Sequence, residues 1–157
     1  MKTTTLFITV LLNALATGFF FAWSVSVILG TKKVGDFTYL ETMQSINKEI
    51  LNPVFFVVFF GSLLTLVLST ILHYNDTSIF WYITAATILY SIGTFGVTAF
   101  GNVPLNNALE ALELSALNKT ELTEFRNYYE SLWNRLHTLR TLSSLASFTI
   151  LLVGIFN

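Results

Sequence analysis

The sequence predicts an all-α fold, a four-helix transmembrane bundle, and three observations predict it. Only 11% of the 157 residues are charged and 54% are hydrophobic, whereas soluble domains carry about 25% charged residues. Four apolar runs recur along the chain, each long enough to cross ~30 Å of hydrocarbon. Hydroxyl and amide residues inside those runs recur at spacings of three and four, the mark of one helix face. Mean hydropathy is +0.67. Backbone inside a bilayer must satisfy its own hydrogen bonds, so such runs become helices. The whole chain, 1–157, reads as one integral membrane domain. A short amphipathic helix is expected in the first loop, and an extramembrane helical excursion before the last transmembrane helix.

The first membrane helix is expected over about residues 4–29. Met1-Lys2 and the later Ala14-Leu15-Ala16 imitate a secretory signal peptide. The apolar run continues through Phe19-Phe20-Phe21-Ala22-Trp23 to Leu29, so the segment is read as a retained helix. Gly30 and Gly35 break it. Phe37, Leu40, Met43, Ile46 and Ile50 then recur as one helical face. This predicts an amphipathic helix over 37–50, lying at the membrane surface or capping the bundle, with Asn47 near the edge of its buried face. Asn52-Pro53 opens the second membrane helix, 54–73, because proline suits a first turn. His73–Thr77 is a polar turn. The third membrane helix spans 79–100, with Trp81 and Tyr82 at the interface.

Phe100–Asn107 holds three asparagines around Pro104. It reads as a bend at the mouth of the third helix, with Asn102, Asn106 and Asn107 as pocket amides and a polar helix following over 105–117. Thr120 is the expected cap of the next helix, with Glu121 and Glu124 in its first turn. No glycine or proline follows until Gly154. A polar helix over 121–137 should therefore continue into the fourth membrane helix, 138–156, a rod roughly 50 Å long. Both polar excursions lie at one end of the bundle. Lys32, Lys33, Lys48, Lys119, Arg126, Arg135 and Arg140 share that end, and Lys2 stands alone at the other. The positive-inside rule puts the long loops in the cytoplasm and the termini across the inner or plasma membrane.

Each membrane run carries a polar stripe. In the third helix it is Thr84, Thr87, Ser91, Thr94, Thr98 and Asn102. Asn13, Thr17 and Ser24 form one in the first, and Ser62, Thr65, Ser69 and His73 in the second. The fourth has Glu130, Trp133, His137, Arg140, Ser144 and Ser147. Lipid cannot satisfy these groups, so they should face inward. For the deep hydroxyls, helix packing is the expected use. Ionisable groups at membrane depth point instead to function. The unusual polar residues converge on the loop end of the bundle, among aromatic walls, the pattern of a binding pocket.

The composition excludes several classes. Net charge is −1, and no nucleic-acid partner is expected. The chain has no cysteine, which rules out thiolate metal sites, iron–sulfur ligation and cysteine nucleophiles. His73 and His137 lie at opposite ends and cannot share a metal or haem, and no HExxH-type spacing occurs, so no metal ligands are assigned. No glycine-rich nucleotide loop is present. The expected site is free of cofactors. His137 would act as general base, with Arg140 and the Asn102 amide stabilising an anion.

Four segments carry a family resemblance: Gly18-Phe19-Phe20-Phe21-Ala22-Trp23-Ser24, Met43-Gln44-Ser45-Ile46-Asn47, Gly101-Asn102-Val103-Pro104-Leu105-Asn106-Asn107 and Trp133-Asn134-Arg135-Leu136-His137-Thr138-Leu139-Arg140. Together they resemble the DUF1772, or anthrone oxygenase-like, family of small four-helix membrane proteins. The resemblance implies oxidation of a lipophilic anthrone-like or quinol-like ring without bound metal or flavin. It points to Trp23, Asn47, Asn102, Asn106, Trp133, His137 and Arg140. Membrane lipid and a small lipophilic aromatic substrate or ligand are the expected partners. The alternative is a non-catalytic membrane module that binds a lipid, a quinone or a partner protein. Transport is a third reading and would require a homo-oligomer.

Overall fold

The computed structural model describes residues 1–157, the side chain of residue 77 excepted; that end of the expected His73–Thr77 turn lies outside the described residues. Five helices make the fold: α1 Lys2–Thr31, α2 Asp36–Glu49, α3 Pro53–Leu72, α4 Ser78–Glu110 and α5 Lys119–Phe156. Helices α1, α3, α4 and α5 are long and apolar enough to cross a membrane, and the chain is an all-helical integral membrane protein. They form a ring in which α1 packs on α3, α3 on α4, α4 on α5, and α5 back on α1. Helix α2 lies over one end, against α5 and the last turns of α4.

Two clusters hold these elements. Within the bundle, Ala16, Leu66, Ile83, Ala86, Tyr90 and Leu151 pack together. At the loop end, Tyr39, Leu40 and Met43 of α2 meet Leu105 and Leu109 of α4 and Tyr129 and Trp133 of α5. Outward residues such as Phe7, Leu64, Trp81 and Ile92 stay exposed, as a lipid-covered surface requires. α2 is further tied down by Arg126. Its guanidinium bonds Asp36 Oδ1 and Glu130 Oε2, each at 2.9 Å, and the Val34 carbonyl at 2.7 Å. Hydrogen bonds from Thr123 and Arg126 hold the Asp36 carboxyl below the usual carboxylate range. Glu130 therefore serves this clasp.

The polar stripes do turn inward and cross-link the helices. Thr9 of α1 meets Ser69 of α3 at 2.8 Å. Thr17 of α1 meets Ser144 of α5 at 2.7 Å. Ser147 of α5 donates to the Ala86 carbonyl of α4 at 2.8 Å. At such contacts small residues let backbones approach. Gly93 of α4 lies against Ser143 so closely that a Cβ would fall on that side chain, and Gly154 lies likewise against Tyr82. Gly18 has open space around it. Gly93→Val is expected to destabilise the protein by about 1–3 kcal/mol through overpacking, read as a lower thermal midpoint in detergent. Gly18→Ala should leave that midpoint unchanged.

Three local expectations differ from the structure. Pro104 does not bend the chain out of α4; the helix runs through it to Glu110. Wide π-helical turns over Leu89–Gly96 and Thr98–Asn102 precede it. Pro104 then stands at the start of the following α-helical segment, Val103–Glu110, where its missing N–H costs least. The polar helix expected over 105–117 is thus the end of α4, followed by one 3₁₀ turn, Leu114–Ala116. Asn118, not Thr120, caps α5. Its side chain accepts from Thr120 N and Glu121 N while Glu121 bonds back to Asn118 N, a capping box that satisfies end donors on both sides. Asn52 caps α3 as expected, accepting from Phe55 N, with Pro53 in the first turn.

Candidate ligand pocket at the loop end

A cavity of about 340 Å³ opens where α1, α2, α3, α4 and α5 meet. That is the small end of the range for ligand pockets, about 300–1,000 Å³. Trp23, Asn47, Asn102, Asn106, Asn107, Trp133 and Arg140 all line it. Phe19, Phe20 and Phe55 complete an apolar wall. Lys48 and Glu110 stand at its exposed rim and pair at 2.9 Å. Continuous helices bring these groups together. α5 carries Trp133 and Arg140 seven residues apart, two turns along one face. α4 carries Asn102 and Asn106 one turn apart.

Arg140 is the decisive group. It is 7% exposed, and among the described residues no carboxylate pairs with it. Its Nε and Nη2 donate to His137 Nδ1 at 3.1 and 3.0 Å. Nη1 donates to Thr98 Oγ1 at 3.4 Å. One N–H on each terminal nitrogen is left without a protein acceptor among the described residues. The guanidinium lies 4.8 Å over the Phe20 ring and 5.0 Å over Trp133. Aromatic faces attract a cation, but more weakly than a carboxylate does. A buried charge without a counterion is costly.

Asn102 is the second. It is 1% exposed. Its Nδ2 donates to the Trp133 carbonyl at 3.3 Å. A carbonyl only accepts, so the amide orientation is set by this bond. Its Oδ1 then has no partner, the one such buried side-chain atom among the described residues. Leaving an acceptor in that condition costs about 1–3 kcal/mol. One cavity is therefore bordered by a cation that lacks an anion and by an amide whose buried oxygen lacks a donor.

The rest of the polar wall is already ordered. Asn106 Oδ1 accepts from Trp133 Nε1 at 2.9 Å and from the Tyr129 hydroxyl at 3.1 Å. Asn47 Nδ2 donates to the Tyr129 oxygen at 3.3 Å. Because indole N–H only donates, the Asn106 amide is oriented too, and its NH₂ has no protein acceptor among the described residues. Trp23 and Trp133 face each other at 5.7 Å.

His137 does not line the cavity and is fully buried. Arginine N–H groups only donate, so Nδ1 is the accepting nitrogen. Nε2 carries the hydrogen, within 3.2 Å of the Phe20 carbonyl and 3.0 Å of Ser24 Oγ. Both ring nitrogens are thus committed. His137, expected from the sequence as a general base, has neither ring nitrogen free in this geometry. The ring instead stacks on Trp133 at 5.1 Å and 7° and orients Arg140. Three contributors were not assigned to the site from the sequence. Tyr129 bridges two asparagines, Phe20 supplies both a carbonyl and a ring, and Thr98 receives Arg140. Thr98 stood in the polar stripe of α4, one turn before Asn102, so its position was visible though its use was not. π-Helical turns flank the pocket in α1, at Trp23–Val27, and in α4; such wide turns are frequent at functional sites. No cluster of three or more histidine or carboxylate side chains suited to a metal occurs among the described residues.

Comparison with known proteins adds one finding. A family model described as anthrone oxygenase matches residues 46–150, more than half of the chain, including every pocket asparagine, Trp133, His137 and Arg140. The α1 motif around Trp23 lies outside the match. No curated protein and no solved structure matches the chain. With its matched span running from α2 into the last turns of α5, the chain belongs to the anthrone oxygenase (DUF1772) family.

Proposed function

We propose that the pocket binds a lipophilic, hydroxylated aromatic ring as its anion and exposes it to dioxygen. The observation that carries this is the pairing, in one cavity, of a buried Arg140 without a carboxylate and a buried Asn102 Oδ1 without a donor. A ring with an ionised oxygen beside a hydroxyl satisfies both. Arg140 donates to the anionic oxygen, and Asn102 Oδ1 accepts from the neighbouring hydroxyl. Trp23, Trp133 and Phe55 flank the ring, and the NH₂ of Asn106 serves its far edge, with Asn47 and Asn107 at the rim. The family description supports an anthrone as the ring.

The reaction then balances without further reagents. A ring CH₂ loses a proton, and the resulting carbanion is delocalised onto the oxygen that Arg140 holds. Stabilising that charge is the pocket's electrostatic contribution. Glu110, the one carboxylate lining the cavity, is the acceptor for the proton. The carbanion passes an electron pair to dioxygen, forming a C–O bond, and the proton returns to give a hydroperoxide. Loss of water across the C–H and O–O bonds leaves a carbonyl. One CH₂ and one O₂ become one C=O and one water.

Purified protein should convert an anthrone to the anthraquinone faster than protein-free detergent buffer, with one atom of labelled dioxygen in the new carbonyl. The commitment of both His137 nitrogens favours a second reading, a module that binds such a ring without turning it over. Quenching of tryptophan fluorescence by the anthrone, with oxidation no faster than buffer, would establish that reading in place of the first. We also propose that the pocket end faces the cytoplasm, from the excess of lysine and arginine there. The chain has no cysteine, so a single cysteine at Lys33 should resist an impermeant thiol reagent in intact cells; labelling there would reverse the orientation.

A further inference from the structure

A second cavity adjoins the pocket and shares part of its lining, and we propose that this second cavity holds an apolar chain attached to the ligand's ring. The proposal rests on the reading of the first pocket as an aromatic-anion site. The second cavity measures about 220 Å³ and lies between α1 and α3, bordered by Leu15, Ala16, Val58 and Phe59. Phe19, Phe20, Ile50 and Phe55 border both cavities. Only side chains stand between the two: the Phe19 and Phe55 rings, in contact at 5.7 Å, form the partition that a bound chain would have to part.

The chemistry changes along this path. The first cavity ends on Arg140 and Asn102. The second has a single polar lining residue, Asn52, and both polar atoms of its amide are already engaged. Asn52 Oδ1 accepts from Phe55 N at 3.0 Å, and Nδ2 donates to the Glu49 carbonyl at 2.7 Å. The other lining side chains are all hydrocarbon, so the cavity suits an apolar chain. Along α1 the lining passes from Trp23 to Leu15, about 12 Å of helix toward the middle of the bilayer. Leu15 and Val54 are 51% and 75% exposed on the membrane side. The two cavities together describe an amphiphile: an acidic, hydroxylated ring at the polar end and a flexible chain reaching toward the lipid.

The location also sets the size of the effect. Lipid is as apolar as this groove, so burying the chain gains little from leaving its surroundings. The gain is close packing, and it is modest. The same geometry gives the ring an approach from the bilayer, chain side first between α1 and α3.

The test uses the full chain in detergent and two probes, a hydroxyanthrone and the same ring bearing a geranyl group. Binding is read by quenching of Trp23 and Trp133, independently of turnover. The geranylated ring should bind about tenfold more tightly. Val58→Phe, which fills the second cavity, should abolish that advantage and leave the plain ring's affinity within about twofold. Ala16→Leu serves the same purpose should the first variant fail to fold. Equal affinity of the two rings for the unaltered protein overturns the chain-binding cavity alone. So does an advantage that survives both fillings, which would place the chain in detergent or bilayer lipid. Failure of either ring to bind overturns the aromatic-anion pocket and the chain site with it.

Discussion

Arg140→Met is expected to lower affinity for an acidic hydroxyanthrone by about 100-fold while leaving the ligand-free protein no less stable. The two effects have opposite origins. In the bound state Arg140 is half of a desolvated charge pair, and removing one partner costs about 2–5 kcal/mol. In the free state the guanidinium has no carboxylate among the described residues, and its cost is offset only by His137, Thr98 and two aromatic faces. Replacing a buried charge by an apolar side chain of similar length is often neutral or stabilising. Here the gain is reduced because His137 Nδ1 loses its donor. Tryptophan quenching by the ligand measures the first effect, and thermal unfolding in detergent without ligand measures the second. Arg140→Lys should bind nearly as poorly, since a point charge cannot keep both the His137 bonds and the ligand. Should Arg140→Met collapse the fold while any residual folded fraction binds normally, the guanidinium is structural and the anion site is wrong.

Asn102→Asp is expected to abolish binding of the anionic ring and to raise the thermal midpoint of the free protein. A carboxylate in the same cavity gives Arg140 the counterion it lacks, so the ligand's anion meets an occupied partner and a like charge. Asn102→Leu separates charge from hydrogen bonding. It removes the orphaned Oδ1, worth about 1–3 kcal/mol to a free protein that no longer buries it. It also removes the ligand hydroxyl's acceptor, for a loss of about tenfold in affinity. Unchanged affinity in both variants would show that Asn102 Oδ1 takes no ligand group.

Much of the architecture was legible because the bilayer is a severe solvent. It demands helices wherever an apolar run spans it, and it forces hydroxyl stripes inward. Thr17 and Ser144 meet where their spacing placed them. Local ends were less legible. The Asn118 capping box and the continuation of α4 through Pro104 depend on which of several adequate residues the tertiary contacts favour. The π-helical turns of α1 and α4 leave no mark in periodicity, because one extra residue per turn merely shifts a stripe.

The sequence by itself determined the four membrane helices, the inward polar seam and the gathering of Asn102, Asn106, Trp133 and Arg140 at one end. Each of these follows from apolar length and helical spacing, which are local properties of the chain. Only the tertiary structure decided what those groups do to one another. His137 and Arg140 are three residues apart in any helix, yet spacing cannot say that the guanidinium donates to one imidazole nitrogen while the Phe20 carbonyl accepts from the other. Nor can it say that the Trp133 carbonyl orients the Asn102 amide and leaves its oxygen unpaired. Protonation and hydrogen-bond satisfaction are settled by neighbours on other helices. They turn the asparagine–proline stretch of α4 from an expected bend into one continuous helical wall of the pocket.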